Sequence, residues 1–289
     1  MTTPAHSTSS HVSASLHGSA LGALLREWRR RRHLSQLALA LKADISQRHL
    51  SFVESGRAQP SREMVLHLAE QLGVPLRERN RLLLAAGYAP VFRERPLDDP
   101  ALDAARRAVE RVLQGHEPYP ALAIDRHWTL LSANRAVAVF LTGVDPSLLE
   151  PPVNVLRVSL HPRGLAPRIV NLTQWRTHLL ERLQRQVEAS ADPVLEELLA
   201  ELRAYPLPPT RGRADTFAIA HDDSGVFVPL QLATDSGVLS AISTTTVFGT
   251  PVDVTLAEIA LECFFPADAE TAERLRRVAQ LEETVHEWR

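Results

Sequence analysis

Apolar residues in the first third of the chain recur at helical spacing. Leu21, Leu24, Leu25 and Trp28 share one face and predict a helix that packs against a core. Further on, serine or proline precedes each apolar stripe, which is a signal for the start of a helix. Glycine follows most of the stripes, which is a signal for the end of a helix. Four more short helices are therefore predicted, at 35–42, 47–55, 60–72 and 76–86.

The pattern of apolar residues changes near Pro118. Short apolar stretches predict two strands joined by a tight turn at Arg126 and His127. Helices and strands then follow in separate groups, which indicates an α+β unit with a mostly antiparallel sheet. The predicted strands are 121–125, 128–133, 227–232, 239–248 and 252–264, the helices are 134–141, 172–189, 193–204 and 268–287, and 151–170 and 207–223 are irregular.

These patterns divide the 289 residues into four parts. Residues 1–19 are mostly Ser, Thr, Ala and His without apolar periodicity, and they are predicted to be a disordered tail. Residues 20–90 form the all-α unit of five helices, and residues 91–117 form a connector with a helix near 102–113. Residues 118–289 form the α+β unit, so the length fits two domains of ordinary size.

Composition excludes several classes of protein. No run approaches the about 18 consecutive apolar residues of a membrane span. No basic-then-apolar segment opens the sequence, so we expect a cytoplasmic protein without a membrane partner. The one cysteine, Cys263, excludes a disulfide framework. It alternates with apolar residues in a predicted strand and is expected to be buried and inert.

Charge is distributed unevenly along the chain. Residues 1–90 carry 12 basic and 6 acidic side chains, whereas residues 91–289 carry 20 basic and 28 acidic ones. A basic first third on an acidic remainder is expected of a nucleic-acid-binding unit joined to a second unit. The alternative is a chance clustering of charges on a solvated surface.

The predicted second and third helices have the proportions of a helix-turn-helix, since about four residues join them. Leu50 and Val53 anchor the third helix inward, which leaves its other side chains free to reach base edges in the major groove. Arginine prefers guanine and glutamine prefers adenine there, because each can make two hydrogen bonds. The alternative is a helical bundle with a basic surface.

Two further side chains are placed for the DNA backbone. Gln36, at the start of the second helix, can reach a phosphate beside free helix N–H groups. Arg57 follows the third helix directly. The residues predicted to bind DNA are Gln36, Ser46, Gln47, Arg48, His49, Ser51 and Arg57.

Several short motifs of the helical part recur in a known family. They are Leu34-Ser35-Gln36, Ile45-Ser46, Leu50-Ser51, Val53-Glu54-Ser55-Gly56-Arg57 and Pro60-Ser61. Through them, residues 24–74 resemble the XRE/lambda-repressor type of helix-turn-helix protein. The sequence departs from that pattern at 42–44, where many members have glycine in the turn. The resemblance implies five helices and DNA contacts from residues 36, 47, 48, 49 and 51.

A second set of motifs extends over about residues 20–280 in a single order. The motifs are the stretches 46–54, 82–90, 125–128, 133–134, 151–157, 161–162, 167–171, 244–251 and 264–266, together with Trp175. They resemble the MmyB-like bacterial regulators. That resemblance implies a PAS-like C-terminal domain that binds a small ligand, which is fatty-acid-like for some members.

A curved antiparallel sheet with helices against it leaves room to enclose one small ligand. The candidate wall residues are Phe140, Trp175, Phe227, Phe248 and Phe264, and the alternative for each is ordinary core packing. Arg157, Arg168 and Asn171 lie in a proline-bounded apolar stretch and are candidates to bind a ligand carboxylate. The alternative for these three is an internal ion pair or a backbone-capping contact.

Motifs typical of enzymes and of cofactor sites are absent from the sequence. There is no G-x-S-x-G, no phosphate-binding loop and no dinucleotide-binding glycine run. His161, His178 and His221 lack the spacing of metal ligands, and no haem attachment motif is present. We therefore expect no catalytic residues, no metal and no cofactor.

The hypothesis from the sequence is a transcriptional regulator that binds double-stranded DNA as a homodimer. Its five-helix domain reads an operator, and its PAS-like domain senses a small apolar molecule similar to a fatty acid. In the alternative, the C-terminal domain only dimerises or binds a partner protein and has no small-molecule effector.

Overall fold

The computed structural model of the protein describes residues 9–207, 227–249, 251 and 253–286. These residues form two compact units. The first holds the described residues up to 96, with 188–191 and 251–257, and the second holds those of 97–187, 192–250 and 258–289. No helix in the described part of the chain is both long and apolar enough to cross a bilayer.

Five helices build the main part of the first unit, as the sequence predicts. They are α1 (Ser9–Arg31), α2 (Gln36–Lys42), α3 (Gln47–Glu54), α4 (Arg62–Gln71) and α5 (Leu76–Ala85). Ser35, Ser46 and Ser61 cap α2, α3 and α4, because each hydroxyl oxygen accepts a hydrogen bond from the backbone N–H three residues on, at 3.0–3.2 Å. The predicted boundaries of these three helices therefore lie close to the observed ones.

The start of α1 differs from the prediction. Residues 9–19, expected to be disordered, are helical and continue without interruption into the helix that carries Leu21 and Trp28. This stretch contains no proline, so nothing in it breaks the hydrogen-bond ladder that extends from the packed part of the helix. Residues 1–8 lie outside the described residues.

The core of the first unit contains the apolar stripes of all five helices. Leu25 of α1, Leu39 of α2, Leu50 of α3, Leu68 of α4 and Leu83 of α5 are all completely buried. Helices α2 to α5 have ten residues or fewer and are too short to be stable alone in water, so this shared core supplies their stability.

One charged pair lies inside this helical unit. Arg29 of α1 donates from Nε to Oε1 of Glu54 at 2.7 Å and from Nη2 to Oε2 at 2.9 Å. The Glu54 side chain is fully buried, and Gln36 also donates to it at 2.9 Å. Burial alone would raise the pKa of Glu54, but hydrogen bonds from Arg29 and Gln36 and the charges of Arg29 and Arg26 lower it. The pair therefore joins α1, the start of α2 and the end of α3.

The second unit begins with α6 (Asp103–Gly115) and contains one antiparallel sheet of five strands in the order β2-β1-β5-β4-β3. Its strands are β1 (Ala121–Ile124), β2 (Leu130–Ala133), β3 (Leu230–Thr234), β4 (Gly237–Val247) and β5 (Ala260–Pro266). Its other helices are α7 (Ala138–Leu141), α8 (Val155–Leu160), α9 (Leu172–Ser190), α10 (Pro193–Ala204) and α12 (Ala269–His286), whereas α11 (Val254–Ala257) belongs to the first unit. The predicted fold class, an all-α unit followed by α+β with an antiparallel sheet, is confirmed.

The register of the central strands determines which side chains meet. Glu262 of β5 lies between Leu122 of β1 and Thr245 of β4. Two residues along the same strand, Phe264 lies beside Ser243 of β4. Because side chains two residues apart share a face of a sheet, Glu262 and Phe264 point to the same side.

Three stretches of the second half differ from the prediction. The stretch 151–170 contains α8 instead of being irregular throughout, and Asn154 caps it by accepting from Leu156 and Arg157. The predicted strand 252–264 is a short helix followed by β5, because Asp253 accepts from the backbone N–H of Thr255 and starts a helical turn. The strand predicted from 227 begins at Leu230, and most of the predicted loop 207–223 lies outside the described residues.

Replacing Glu54 by glutamine is expected to lower the free energy of unfolding by about 3–5 kcal/mol at neutral pH, because the Arg29 charge stays buried without its partner. The wild-type contribution is present above the ordinary glutamate pKa of 4.5 and is lost as the pH falls through the lowered folded pKa. The difference between the two proteins should therefore shrink in acid. Denaturant titrations at several pH values measure it.

Glu27→Gln is the matched control for this variant, since Glu27 is exposed and pairs with Arg31 one helical turn away. Its effect should stay within about 0.5 kcal/mol. Equal losses in the two variants would contradict a special role for the buried pair.

Candidate DNA-binding surface and ligand cavity

Helix α3 presents one polar face and buries the other. Leu50 and Val53 are completely buried, as the helix-turn-helix pattern predicts. Ser46, Gln47 and Arg48 are exposed at the N-terminal end of the helix. A side chain in the first turns of such a helix is placed to reach base edges when the helix enters the major groove.

The remaining predicted DNA contacts differ in exposure. His49 and Ser51 are half-buried, and Arg57 is exposed just past the helix. The guanidinium of Arg48 lies over the ring of Phe52, with 5.3 Å between Cζ and the ring centre. This cation–π contact holds the long side chain against α3 while its edge stays available.

Gln36 is already engaged inside the domain. Its amide nitrogen donates to the buried carboxylate of Glu54 at 2.9 Å, so the side chain is half-buried and held at the start of α2. Its predicted contact with a phosphate therefore stays a prediction, whereas its contact with Glu54 was not foreseen.

The turn between α2 and α3 contains a residue with a left-handed backbone. Asp44 has a φ of 52°, and the backbone N–H of Ile45 donates to the carbonyl of Ala40 at 3.0 Å. This is the hydrogen-bond pattern that ends many helices, usually with glycine at the left-handed position. Aspartate tolerates this conformation better than most residues. The departure from the glycine of many relatives therefore leaves the turn intact.

A cavity of about 200 Å³ lies in the second unit. Its walls come from all five strands of the sheet and from helices that cover this face, α7, α8 and α9 among them. Phe140, Trp175 and Phe264 line it, as the sequence predicts for wall residues, and Phe140 and Phe264 meet edge to face at 5.1 Å. Most of the other lining side chains are leucine and valine.

Two of the predicted wall residues lie elsewhere. Phe227 is 46% exposed, and Phe248 is half-buried just past the end of β4; neither is among the described residues that line the cavity. The pattern of apolar residues predicted them as strand positions, but both lie just outside the strands.

The predicted carboxylate partners also lie outside the cavity lining of the described chain. Arg157 pairs with Glu201, from Nη2 to Oε2 at 2.7 Å, and Arg168 donates to the backbone carbonyls of Ala233 and Phe140, each at 3.1 Å. Both contacts are the alternatives predicted from the sequence, an internal ion pair and a backbone cap.

Asn171 connects α9 to the edge of the sheet. Its side-chain nitrogen donates to the carbonyl of Pro229 at 2.8 Å, and its side-chain oxygen accepts from the backbone N–H of Gln231 at 3.2 Å. These contacts fix the start of β3. Asn171 therefore holds the backbone of β3 and is not among the described residues that line the cavity.

The charged residues that do line the cavity are Arg182 and Glu262, which sequence reasoning missed. Nη1 of Arg182 donates to Oε2 of Glu262 at 3.0 Å, and Nη2 donates to Oε1 and to the hydroxyl of Thr245. The Glu262 side chain is 5% exposed and that of Arg182 is 23% exposed. The helical spacing could have indicated that Arg182 points inward, because it continues the buried stripe of Trp175 and Leu179 along α9.

A strained tryptophan covers this ion pair. Trp128 has a φ of 66° and is nearly completely buried. Its indole Nε1 donates to Gln186 at 2.8 Å, and its ring centre lies 4.5 Å from Cζ of Arg182. A bulky residue in a left-handed conformation costs about 1–3 kcal/mol, and such strain concentrates at functional sites. The strained backbone of Trp128 therefore indicates that this end of the cavity is a functional site.

Two titratable groups lie close to the pair. The pKa of His178 is lowered by burial and by the charges of Arg182 and Arg185. The pKa of Cys263 is raised, chiefly by its burial and also by Glu262. Cys263 is buried, as expected. In the described part of the chain, no group of three or more His, Cys, Asp or Glu residues is arranged to hold a metal ion.

Replacing Asp44 by valine is expected to lower the free energy of unfolding by about 1–2 kcal/mol, since a β-branched side chain resists the left-handed backbone. Asp44→Gly should leave it unchanged or raise it slightly. Thermal or denaturant unfolding of both variants measures the difference. Equal stability of the valine and glycine variants would contradict this geometry.

The comparisons with known proteins agree with the two units. Residues 25–79 match the helix-turn-helix family, and residues 105–278 match the MmyB-like transcription regulator ligand binding domain. No curated protein matches the sequence.

Two crystal structures of the clp gene regulator ClgR from Corynebacterium glutamicum are similar to a part of the chain. One is 30% identical and covers 25% of this chain and 90% of its own, with a TM-score of 0.22. The other is 29% identical and covers 36% of this chain and 96% of its own, with a TM-score of 0.23. Because the ligand-binding family matches more than half of the sequence, the chain belongs to the MmyB-like transcription regulators and is a DNA-binding regulator of transcription.

Proposed function

We propose that this regulator senses a small, fatty-acid-like molecule in the cavity of its second unit. The observation that carries the proposal is the composition of that cavity, which has apolar walls and a single charged pair. An aliphatic chain gains about 0.8 kcal/mol for each buried methylene group, so such walls select apolar chains. A polar head group then finds hydrogen-bonding partners at one end.

The DNA-reading part of the proposal rests on α3. Ser46, Gln47, Arg48, His49 and Ser51 face the major groove, Arg48 reads a base edge, and Arg57 and Gln36 contact the backbone. A single short helix gives little specificity, so the regulator binds as a homodimer to two related half-sites. The ligand then regulates by binding more tightly to one arrangement of the dimer than to another.

The alternative is a second unit that dimerises or binds a partner protein without any small-molecule effector. A cavity of about 200 Å³ with apolar walls favours the sensor, because protein interiors leave few voids larger than a water molecule. The ligand experiment below separates the two functions.

Arg48→Ala and Arg57→Ala should affect DNA binding differently. Loss of a base contact should weaken operator binding by about 1–3 kcal/mol and leave binding to unrelated DNA nearly unchanged. Loss of a phosphate contact should weaken both kinds of binding and reduce the slope of affinity against salt concentration by about one. Fluorescence anisotropy over a salt series, with an operator selected from random duplexes, measures both effects.

Arg277→Ala provides the control for these variants, because Arg277 is 70% exposed and belongs to the second unit. It should bind both duplexes like the wild type. Equal loss of operator and non-operator binding in Arg48→Ala would remove Arg48 from base reading.

Decanoic acid and decanol should raise the melting temperature of the full chain, since a ligand present at 100 times its Kd stabilises by about 2.7 kcal/mol. Native mass spectrometry should show a dimer that carries an adduct, which is lost under denaturing conditions. Leu179→Phe fills the cavity and should abolish the shift, whereas Val112→Phe, at an exposed position of α6, should retain it. No shift and no adduct across acids and alcohols of several chain lengths would favour the partner-binding alternative.

A further inference from the structure

The charged end of the cavity is already electrically neutral. Among the described residues that line it, Arg182 and Glu262 carry the charges, and they are paired with each other. Both Nη atoms of Arg182 donate to the carboxylate of Glu262. A ligand therefore meets a neutral pair instead of a free cation.

The surroundings hold this pair in place from several sides. Thr245 of β4 donates its hydroxyl to Oε1 of Glu262 at 2.9 Å and accepts from Arg182 at 2.7 Å. Trp128 covers the guanidinium from one face, and Gln186 holds the indole. Because β5 lies in the interior of the sheet, strands on both sides hold the backbone of Glu262 in register.

A bound carboxylate would add a second negative charge next to Glu262. Two carboxylates on one guanidinium in an apolar cavity repel each other, and one of them is then protonated. Releasing Glu262 instead would leave its charge buried without a partner, which is strongly unfavourable. A neutral head group needs neither step.

We propose that Glu262 determines which head group the cavity accepts: the site takes a neutral head group, either an alcohol or a carboxylic acid that binds together with one proton. The proposal rests on the proposed ligand function and specifies the chemistry of that site. Arg182 hydrogen-bonds the head group, and the apolar walls hold its chain. Glu262 acts as a specificity-determining residue.

Other titratable groups near the pair could also accept the proton. His178 stacks on Trp175, a wall residue, and interacts electrostatically with Arg182, Arg185, Glu181 and Glu262. Cys263 adjoins Glu262 along β5, and its raised pKa keeps it protonated already. Among the described residues, His178 is therefore the competitor that the experiment must separate from the ligand and Glu262.

Isothermal titration calorimetry of the full wild-type chain with decanoic acid and decanol tests the proposal. Titrations in two buffers with different ionisation enthalpies count the protons bound. The acid should take up about one proton, and its affinity should fall about tenfold for each pH unit between about pH 6 and pH 8. The alcohol should take up none and should bind independently of pH. Acid binding without proton uptake would overturn the proposal.

Three variants locate the proton. In Glu262→Gln the acid should bind as its carboxylate, so its affinity should no longer depend on pH and should exceed that of the wild type about tenfold at pH 8. His178→Gln should retain the wild-type proton uptake, and its loss there would assign the proton to His178 and overturn the proposal. Glu201→Gln removes a carboxylate from an arginine pair outside the cavity and should behave like the wild type.

The outcomes also separate this proposal from the sensor function itself. If the acid binds with the same affinity at every pH, the sensor function stands and the role of Glu262 is wrong. If neither the acid nor the alcohol binds at any pH, both proposals are wrong. The wild-type proton count does not depend on a variant, so acid binding without proton uptake overturns the proposal even if Glu262→Gln fails to fold.

Discussion

The DNA-binding unit depends on the ion pair between Arg29 and Glu54. Two charges withdrawn from water are tolerable only while they are paired, so every arrangement of α1 and α3 that separates them is strongly disfavoured. Glu54 is the last residue of α3, and Gln36 at the start of α2 shares its carboxylate. The apolar contacts of Leu50 and Val53 bury the inner face, and the ion pair fixes the far end. The exposed first turn of α3 is therefore presented in one orientation.

Local signals in the sequence predict the helical unit well, because its helices carry their own boundaries. Ser35, Ser46 and Ser61 are caps in the sequence and in the structure, and a cap satisfies backbone groups without help from distant residues. The failures occur where local signals are weak or conflict. Residues 9–19 have no stripe, yet they continue a packed helix, and 252–264 contains β-branched residues, yet Asp253 starts a helical turn.

The cavity was predicted less well, for a physical reason. In the sequence, every aromatic residue of a predicted strand or helix is an equally good candidate for the cavity wall. Phe264 lies within a strand and lines the cavity, whereas Phe227 and Phe248 lie outside the strands and do not line it. The charged pair joins residues 80 positions apart. The stripe of α9 and the alternation in β5 each show an inward charge, but only the strand order brings the two together. Tertiary pairing of this kind is not encoded in local periodicity.

The left-handed backbone at Trp128 has a consequence for how this protein can evolve. The main chain there favours glycine, whereas the guanidinium of Arg182 is covered by an indole ring that only tryptophan supplies. A substitution of Trp128 by glycine would relieve the backbone strain but would remove the ring that covers Arg182. Residues 128, 182 and 262 are therefore expected to change together, and family members that keep one of the three are expected to keep all of them.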